Sequence, residues 1–147
     1  MKCDKCGYVY FHNTASSVAG IIETGRGIVL TKRNISPKKG FLDLPGGFAG
    51  YNESLETALV REIKEELGCD VSDCRYFGSF PNVYVYRGVT YHTVDIYFVC
   101  TVPARTVMRP NAEISDIVAV PIKNIPYKRL GFESTRQALL RYEARKR

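Results

Sequence analysis

No run of about 18 apolar residues occurs anywhere in the chain, so no segment is long enough to cross a bilayer as a helix. The opening residues, MKCDKCGYVYFHN, contain no apolar stretch of signal-peptide length. There is no internal repeat and no low-complexity tract, which sets aside solenoids and disordered tails. Five cysteines, an odd number, cannot all be paired. Without a secretory signal they argue against a disulfide framework and leave metal binding as the more natural cysteine chemistry. Together these absences imply a soluble, cytoplasmic protein with no membrane partner.

With 147 residues, 45% of them hydrophobic, the chain has the size and composition of one ordinary domain. Lys and Arg number 21 against 15 Asp and Glu, a net charge of +6 that favours anionic partners. Much of that excess lies in the terminal RYEARKR, which reads as a solvated helix end. The patterning is mixed α/β. Residues 17–23 and 27–33 are apolar, β-branched runs around Thr24-Gly25-Arg26, a hairpin pattern, followed by a polar loop over 34–40 and a short extended FLDLPGG. From Asn52 the period becomes helical. Asn52 is the expected N-cap, Glu53 lies in the expected first turn, Gly68 is the stop, and Leu55, Leu59, Ile63 and Leu67 form one apolar stripe. Strands are expected in CRYFGSF, VYVY, YHTVDIYFVCTV and DIVAVPI, and a closing helix over 133–145 with Ala138, Leu139 and Tyr142 inward. Two helices against a mixed sheet predict an α/β/α sandwich.

One helix face stands out. Glu62, Glu65 and Glu66 lie at i, i+3 and i+4 and project within an arc of roughly 100°. Like charges at this spacing repel, Lys64 points to the far side, and only Arg61 flanks the acids. A hard divalent cation such as Mg²⁺ neutralises such a group well, because it takes carboxylate oxygens and keeps waters that a substrate phosphate can displace. More than one ion could be held, the arrangement that clamps attacking and leaving oxygens in phosphoryl chemistry. An ordinary charged surface helix is the alternative.

The wider spacing is more specific. From Gly47 the chain runs Gly, five residues, Glu53, seven residues, then Arg61-Glu62-Ile63-Lys64-Glu65-Glu66-Leu67-Gly68-Cys69. This resembles the box of the Nudix hydrolases, Gly-x5-Glu-x7-Arg-Glu-U-x-Glu-Glu-x-Gly-U with U apolar. All seven fixed positions match, a coincidence on the order of one in a million by chance. The resemblance implies the Nudix fold, an α/β/α sandwich with a mixed sheet and a catalytic loop-helix-loop. It also implies Mg²⁺- or Mn²⁺-dependent hydrolysis of a nucleoside diphosphate linked to another moiety. By position, Glu62, Glu65 and Glu66 would bind metal, the backbone carbonyl around Gly46 or Gly47 would complete the shell, and Arg61 would pair with Glu53. Glu113 resembles the further acid that many members use as ligand or base; Asp95 and Asp116 are its rivals.

The same resemblance frames the rest of the chain. Cys3-Asp4-Lys5-Cys6-Gly7 looks like one knuckle of the zinc ribbon that precedes the Nudix domain in NADH pyrophosphatase-like members. Residues 1–14 are therefore read as a truncated knuckle and 15–147 as the Nudix domain. A closed zinc site needs four ligands and no second C-x2-C exists, so Cys3 and Cys6 would hold Zn²⁺ only incompletely or between two chains of a homodimer. His12 and His92 read as ordinary hydrogen-bonded residues. That subfamily's Ser-Gln-Pro-Trp-Pro-Phe-Pro-x-Ser signature survives only as Ser79 and Pro81, and the chain has no tryptophan. The aromatics Phe80, Tyr84, Tyr86 and Tyr91 could stack on a base, and Phe80, Tyr84, Tyr86 and Arg33 form the expected substrate-binding set. The expected substrate is a small nucleotide, with ADP-ribose or a dinucleotide such as NADH foremost. Nucleoside triphosphate sanitation and a non-catalytic nucleotide sensor are the alternatives. A nucleic-acid partner is not expected, because the ribbon is incomplete.

Overall fold

The computed structural model describes residues 1–11 and 13–147. Among them the elements are β1 (Ala15–Thr24), β2 (Gly27–Arg33), β3 (Leu42–Asp43), β4 (Gly46–Phe48), α1 (Leu55–Leu67), β5 (Asp73–Tyr86), β6 (Val89–Thr101), β7 (Ile114–Val120) and α2 (Glu133–Lys146). The strands join in one mixed sheet ordered β3-β2-β1-β6-β5, with β4 also on β1 and β7 also on β2. No helix among the described residues is long and apolar enough to cross a membrane.

Strand β1 is the axis. It pairs in parallel with β6 from Ala15↔Thr93 to Glu23↔Thr101, while β4 lies antiparallel to it at Val18↔Gly47. A strand held inside a sheet with a helix over each face should be apolar on both, and its consecutive isoleucines divide accordingly. Ile22 joins Leu59, Ile63 and Leu67 of α1 in one core, whereas Ile21 joins Ala138, Leu139 and Tyr142 of α2 in the other. The α/β/α layering thus follows from alternation along one strand.

Three local expectations change. The α1 N-cap is Ser54, whose Oγ accepts from Thr57 N at 3.2 Å, while Asn52 sits in a left-handed turn at φ 59°. Glu53 consequently precedes the helix, and Glu56 is the acid of its first turn. The two strands expected around Pro81 are one, β5, which lies at the edge of the sheet. No neighbour there requires the N–H that proline lacks. The β1–β2 hairpin is paired only next to its turn, at Glu23↔Ile28 and Thr24↔Gly27, because β3 then takes that edge of β2 and β4 takes that edge of β1, the opposite edges being held by β7 and β6.

The turn between β1 and β2 offers a sharp internal comparison. A Cβ on Gly27, at φ 122°, would lie 2.1 Å from the Val120 carbonyl oxygen, whereas one on Gly25 would meet nothing within 4 Å. Gly27→Ala should therefore lower stability by about 2 kcal/mol or more in urea unfolding. Gly25→Ala should stay within about 1 kcal/mol of the parent; equal effects at the two glycines would refute this account.

Candidate active site

The β4–α1 loop is held to the helix by one guanidinium. Arg61 Nε and Nη2 donate to the two carboxylate oxygens of Glu53 at 2.8 and 2.9 Å, the parallel fork that suits this pair. Nη1 donates to Glu62 Oε1 at 2.8 Å and to Glu65 Oε2 at 3.2 Å, and Nη2 also reaches the Phe48 carbonyl at 3.1 Å. Gly50 N–H adds a bond of 2.7 Å to Glu53. The Arg61 guanidinium, seconded by that N–H, holds the Glu53 carboxyl down to about 2.

The acids of α1 separate into two environments. Glu65, with 56% of its side chain exposed, is turned toward Arg61 and away from the cavity. Glu62, 16% exposed, and Glu66, half-buried, face inward against the glycine pair. Gly46 N–H donates to Glu66 Oε2 at 3.0 Å, and a Cβ on Gly47 would stand 2.5 Å from the Glu62 carboxyl, so only glycine permits this approach. Burial pushes both carboxyls up. Glu66 reaches about 8, with the Asp43 and Glu62 charges adding to burial and the Gly46 N–H opposing it. Glu62 is raised by burial first, against the pull of Arg61, with Glu65 and Glu113 adding repulsion.

Among the described residues no three acidic, histidine or cysteine side chains converge into a ready-made cation site. The inward pair nevertheless fits a hard divalent ion. Two oxygen donors whose charge the protein alone poorly compensates stand beside a backbone stripped of side chains, a cradle that a Cβ would fill. Cys3 and Cys6 lie far along the chain from this cradle, exposed in a turn closed by Cys3 N–H to Tyr8 O and Gly7 N–H to Cys3 O, both 2.8 Å. The backbone N–H groups of Cys6 and then Lys5 lower the Cys3 thiol. His12 lies outside the described residues, and His92 is exposed on β6.

Glu62, Glu66, Gly46, Gly47 and Arg61 share the wall of a cavity of about 330 Å³ with Arg33, Tyr84 and Glu113. Glu113 is positioned by its loop: Asn34 N–H donates to its carbonyl at 2.8 Å, and Asn34 Nδ2 to that of Ala112 at 3.0 Å. Its rivals are placed otherwise. Asp95 is buried under hydroxyl donors from Ser17, Thr93 and Ser134, and Asp116 outside the cavity accepts from Ile117 N–H. Within the expected substrate-binding set, Tyr84 stacks on Phe132 with centroids 5.8 Å apart and takes the edge of Phe48 at 5.4 Å. Arg33 lies 5.2 Å over the Phe132 ring. Phe80 departs from the expectation: it packs edge-on against Tyr97 in the core beneath α2. Tyr86 also stands apart, under Arg87 beside a neighbouring hollow.

Sequence reasoning missed Asp43, Phe132 and Thr135, which also line the cavity. No signal marked Asp43: the alternation Leu42-Asp43-Leu44 reads as a strand with its polar residue facing water, whereas Asp43 is buried. Asp43 Oδ1 accepts from Thr135 Oγ1 at 2.8 Å and from Leu44 N–H at 2.9 Å. Burial raises its carboxyl to about 6, against the Thr135 hydroxyl, Arg33 and the Leu44 N–H, with the Asp95 charge pushing further up. A carboxyl whose folded value exceeds its unfolded value near 3.9 contributes stability that is complete below about 4 and lost as pH rises through about 6. Asp43→Asn should therefore gain stability relative to the parent by on the order of a few kcal/mol at pH 8, and by much less at pH 4.5. Melting curves at the two values test this, and a difference independent of pH would sink it.

The NUDIX domain family model matches residues 12–142. An ADP-ribose pyrophosphatase of Methanocaldococcus jannaschii is 48% identical over 67 residues, covering 46% of this chain and 40% of that protein. An NAD-capped RNA hydrolase NudC of Haemophilus influenzae is 35% identical over 83 residues, covering 55% and 31%. The aligned region thus spans less than half the length of either curated relative. A crystal structure of a NUDIX hydrolase from Nitrosomonas europaea superimposes with a TM-score of 0.77 at 25% identity, covering 99% of this chain and 78% of that one. With the box geometry, the sheet order and the family match all in agreement, the chain belongs to the NUDIX domain family.

Proposed function

We propose that this protein is a divalent-metal-dependent pyrophosphohydrolase that cleaves the diphosphate of a nucleoside diphosphate derivative, ADP-ribose foremost, and releases a nucleoside monophosphate. The observation that carries the reading is the pair Glu62 and Glu66, pressed against Gly46 and Gly47 on the wall of a cavity large enough for part of a nucleotide. The relative named as an ADP-ribose pyrophosphatase supports that substrate, and the one named as an NAD-capped RNA hydrolase keeps a dinucleotide-type linkage in view.

When bound, Mg²⁺ or Mn²⁺ supplies charge neutralisation for the diphosphate oxygens. Glu62 and Glu66 would hold it, with a backbone carbonyl at Gly46 or Gly47 and with Glu65 at the solvent side. The chain's own residues do the remainder. Arg61 holds the loop to the helix so that the glycine pair stays at the carboxylates, through its fork to Glu53. Glu113, on the same cavity, accepts a proton from the attacking water as a new P–O bond forms and the bridging P–O bond breaks. Arg33 supplies a fixed positive charge beside the Tyr84–Phe132 stack, which offers a face to a nucleobase.

Glu65→Gln and Glu66→Gln preserve size and helix propensity while removing charge, so each should lower turnover of ADP-ribose by roughly 10²-fold or more, about 2.7 kcal/mol of transition-state stabilisation. Lys64→Gln is the control, because Lys64 Nζ pairs with Asp70 at 2.8 Å on the far side. Nucleoside monophosphate release across a panel of ADP-ribose, NADH and nucleoside triphosphates in Mg²⁺ identifies the substrate, and label from ¹⁸O-water in the products identifies the attacked phosphorus. No nucleoside monophosphate from any of them, or box variants as fast as Lys64→Gln, would end the hydrolase reading.

Residues 1–14 are proposed as a half knuckle that catalysis does not need. The double change Cys3→Ser and Cys6→Ser should leave turnover per folded molecule unchanged, and purified protein should carry no stoichiometric zinc. Elemental analysis finding about one zinc per chain or per pair of chains would overturn this, since structural zinc contributes folding energy directly.

A further inference from the structure

The cavity wall carries two chemically different groups of residues. One is Glu62, Glu66 and the glycine backbone; the other is a floor of Ser17, Asp43, Thr93, Asp95, Tyr97 and Thr135. Hydrogen bonding on this floor can be accounted for proton by proton. Ser17 Oγ and Thr93 Oγ1 donate to Asp95 Oδ1 at 2.6 and 2.7 Å, and the adjoining Ser134 Oγ donates to Asp95 Oδ2 at 2.6 Å. Thr135 Oγ1 donates to Asp43 Oδ1 at 2.8 Å. A hydroxyl has a single proton, so the 3.2 Å contact between Tyr97 and Thr135 is donated by the tyrosine. Each of these hydroxyl protons is therefore committed within the protein.

What the floor still offers is lone pairs. Foremost are those of Asp43 Oδ2, whose charged neighbour, Arg33 Nη1, stands 3.7 Å away, beyond hydrogen-bond length. The committed hydroxyl oxygens add further acceptors. An acceptor-only group such as a phosphate oxygen finds no free donor among these floor residues, whereas a group bearing O–H or N–H finds several partners. The fold does not require the charge. Asp43 is buried between Leu42 and Leu44, and the two hydrogen bonds to Oδ1 would serve a neutral asparagine equally well.

We propose that Asp43 Oδ2, with the surrounding hydroxyl oxygens, forms a subsite that reads hydrogen-bond donors on the organic part of the substrate, and that Asp43 sets this specificity. Placing the phosphates at Glu62 and Glu66 rests on the pyrophosphohydrolase reading above. Two donor sources share the required chemistry: the hydroxyls of a sugar joined to the diphosphate, and the exocyclic amine of a nucleobase.

The test compares ADP-ribose with two analogues, one lacking a hydroxyl on the terminal ribose and one carrying hypoxanthine in place of adenine, on the parent protein and on Asp43→Asn. The readout is kcat/KM where the nucleoside monophosphate is released, AMP or, from the hypoxanthine analogue, IMP, with KM and kcat separated, and calorimetric affinity in Mg²⁺ where it is not. Failure of hydrolysis thus leaves the comparison of ligands intact. The parent should prefer ADP-ribose over at least one analogue by about ten-fold or more, chiefly in KM or affinity, because a missing donor leaves Asp43 Oδ2 unpaired. The analogue that suffers identifies the donor, and Asp43→Asn should reduce that preference to within about two-fold; Asp43→Ser replaces it if the asparagine variant does not fold. Equal treatment of all three ligands by the parent, no measurable binding of any, or a preference that survives at position 43 overturns the proposal.

Discussion

The site depends on the guanidinium of Arg61. Five contacts from one side chain tie the loop carbonyl of Phe48, the fork of Glu53 and the helix acids Glu62 and Glu65 into one rigid unit. A lysine could deliver the charge but not the fork, because its ammonium is a point donor on a flexible stem. The contacts also have a chemical consequence for the helix. Arg61 draws Glu65 aside and partly compensates Glu62, so that Glu66 is left buried, with a backbone N–H in its favour and the charges of Asp43 and Glu62 against it. Three acids that look equivalent on a helical projection become a pair facing inward and one facing water.

Above that unit, the sheet decides what shares the cavity. The parallel register of β1 with β6 brings Ser17 opposite Asp95, and the antiparallel register of β1 with β4 brings Val18 opposite Gly47. The glycine pair and the buried carboxylate floor therefore flank the same stretch of one strand. Helix α2 contributes from the other layer, with Ser134 and Thr135 in its first turn reaching Asp95 and Asp43. Its N-cap position, Phe132, makes no side-chain capping bond and instead supplies the ring on which Tyr84 stacks.

What could be read from the sequence was local. The stripe Leu59, Ile63 and Leu67, the stop at Gly68 and the spacing from Gly47 through Glu66 all lie within the one continuous stretch from Gly47 to Gly68, and the structure places them on one helix and its adjoining loop. The N-cap slipped by two residues because Asn52, Glu53 and Ser54 lie together; with the Glu53 carboxylate taken by Arg61 and Gly50, and Asn52 in a left-handed turn, Ser54 is left to cap. Where strand neighbours matter, sequence alone was insufficient. Pro81 breaks a central strand but not an edge, and edge position is a property of the sheet. Phe80 and Tyr84 share a face of β5, yet one lies under α2 and the other beyond it at the cavity. Asp43 acquires its character from Thr135 and Asp95, 92 and 52 positions away, and no periodicity reports that.

The β1–β6 ladder has a bearing on how the chain reaches this state. Its partners lie 78 residues apart, from Ala15↔Thr93 onward, and the loop between them contains α1 and the entire box. Closing so long a loop costs entropy before the ladder returns any stability, and such non-local topologies assemble slowly. The helix and its Arg61 clamp are short-range and can form early, but the strand against which the glycine pair rests is stabilised only once β6 has arrived. A chain still emerging from synthesis thus carries an intact box motif without a competent cradle, and competence arrives with the second half of the domain.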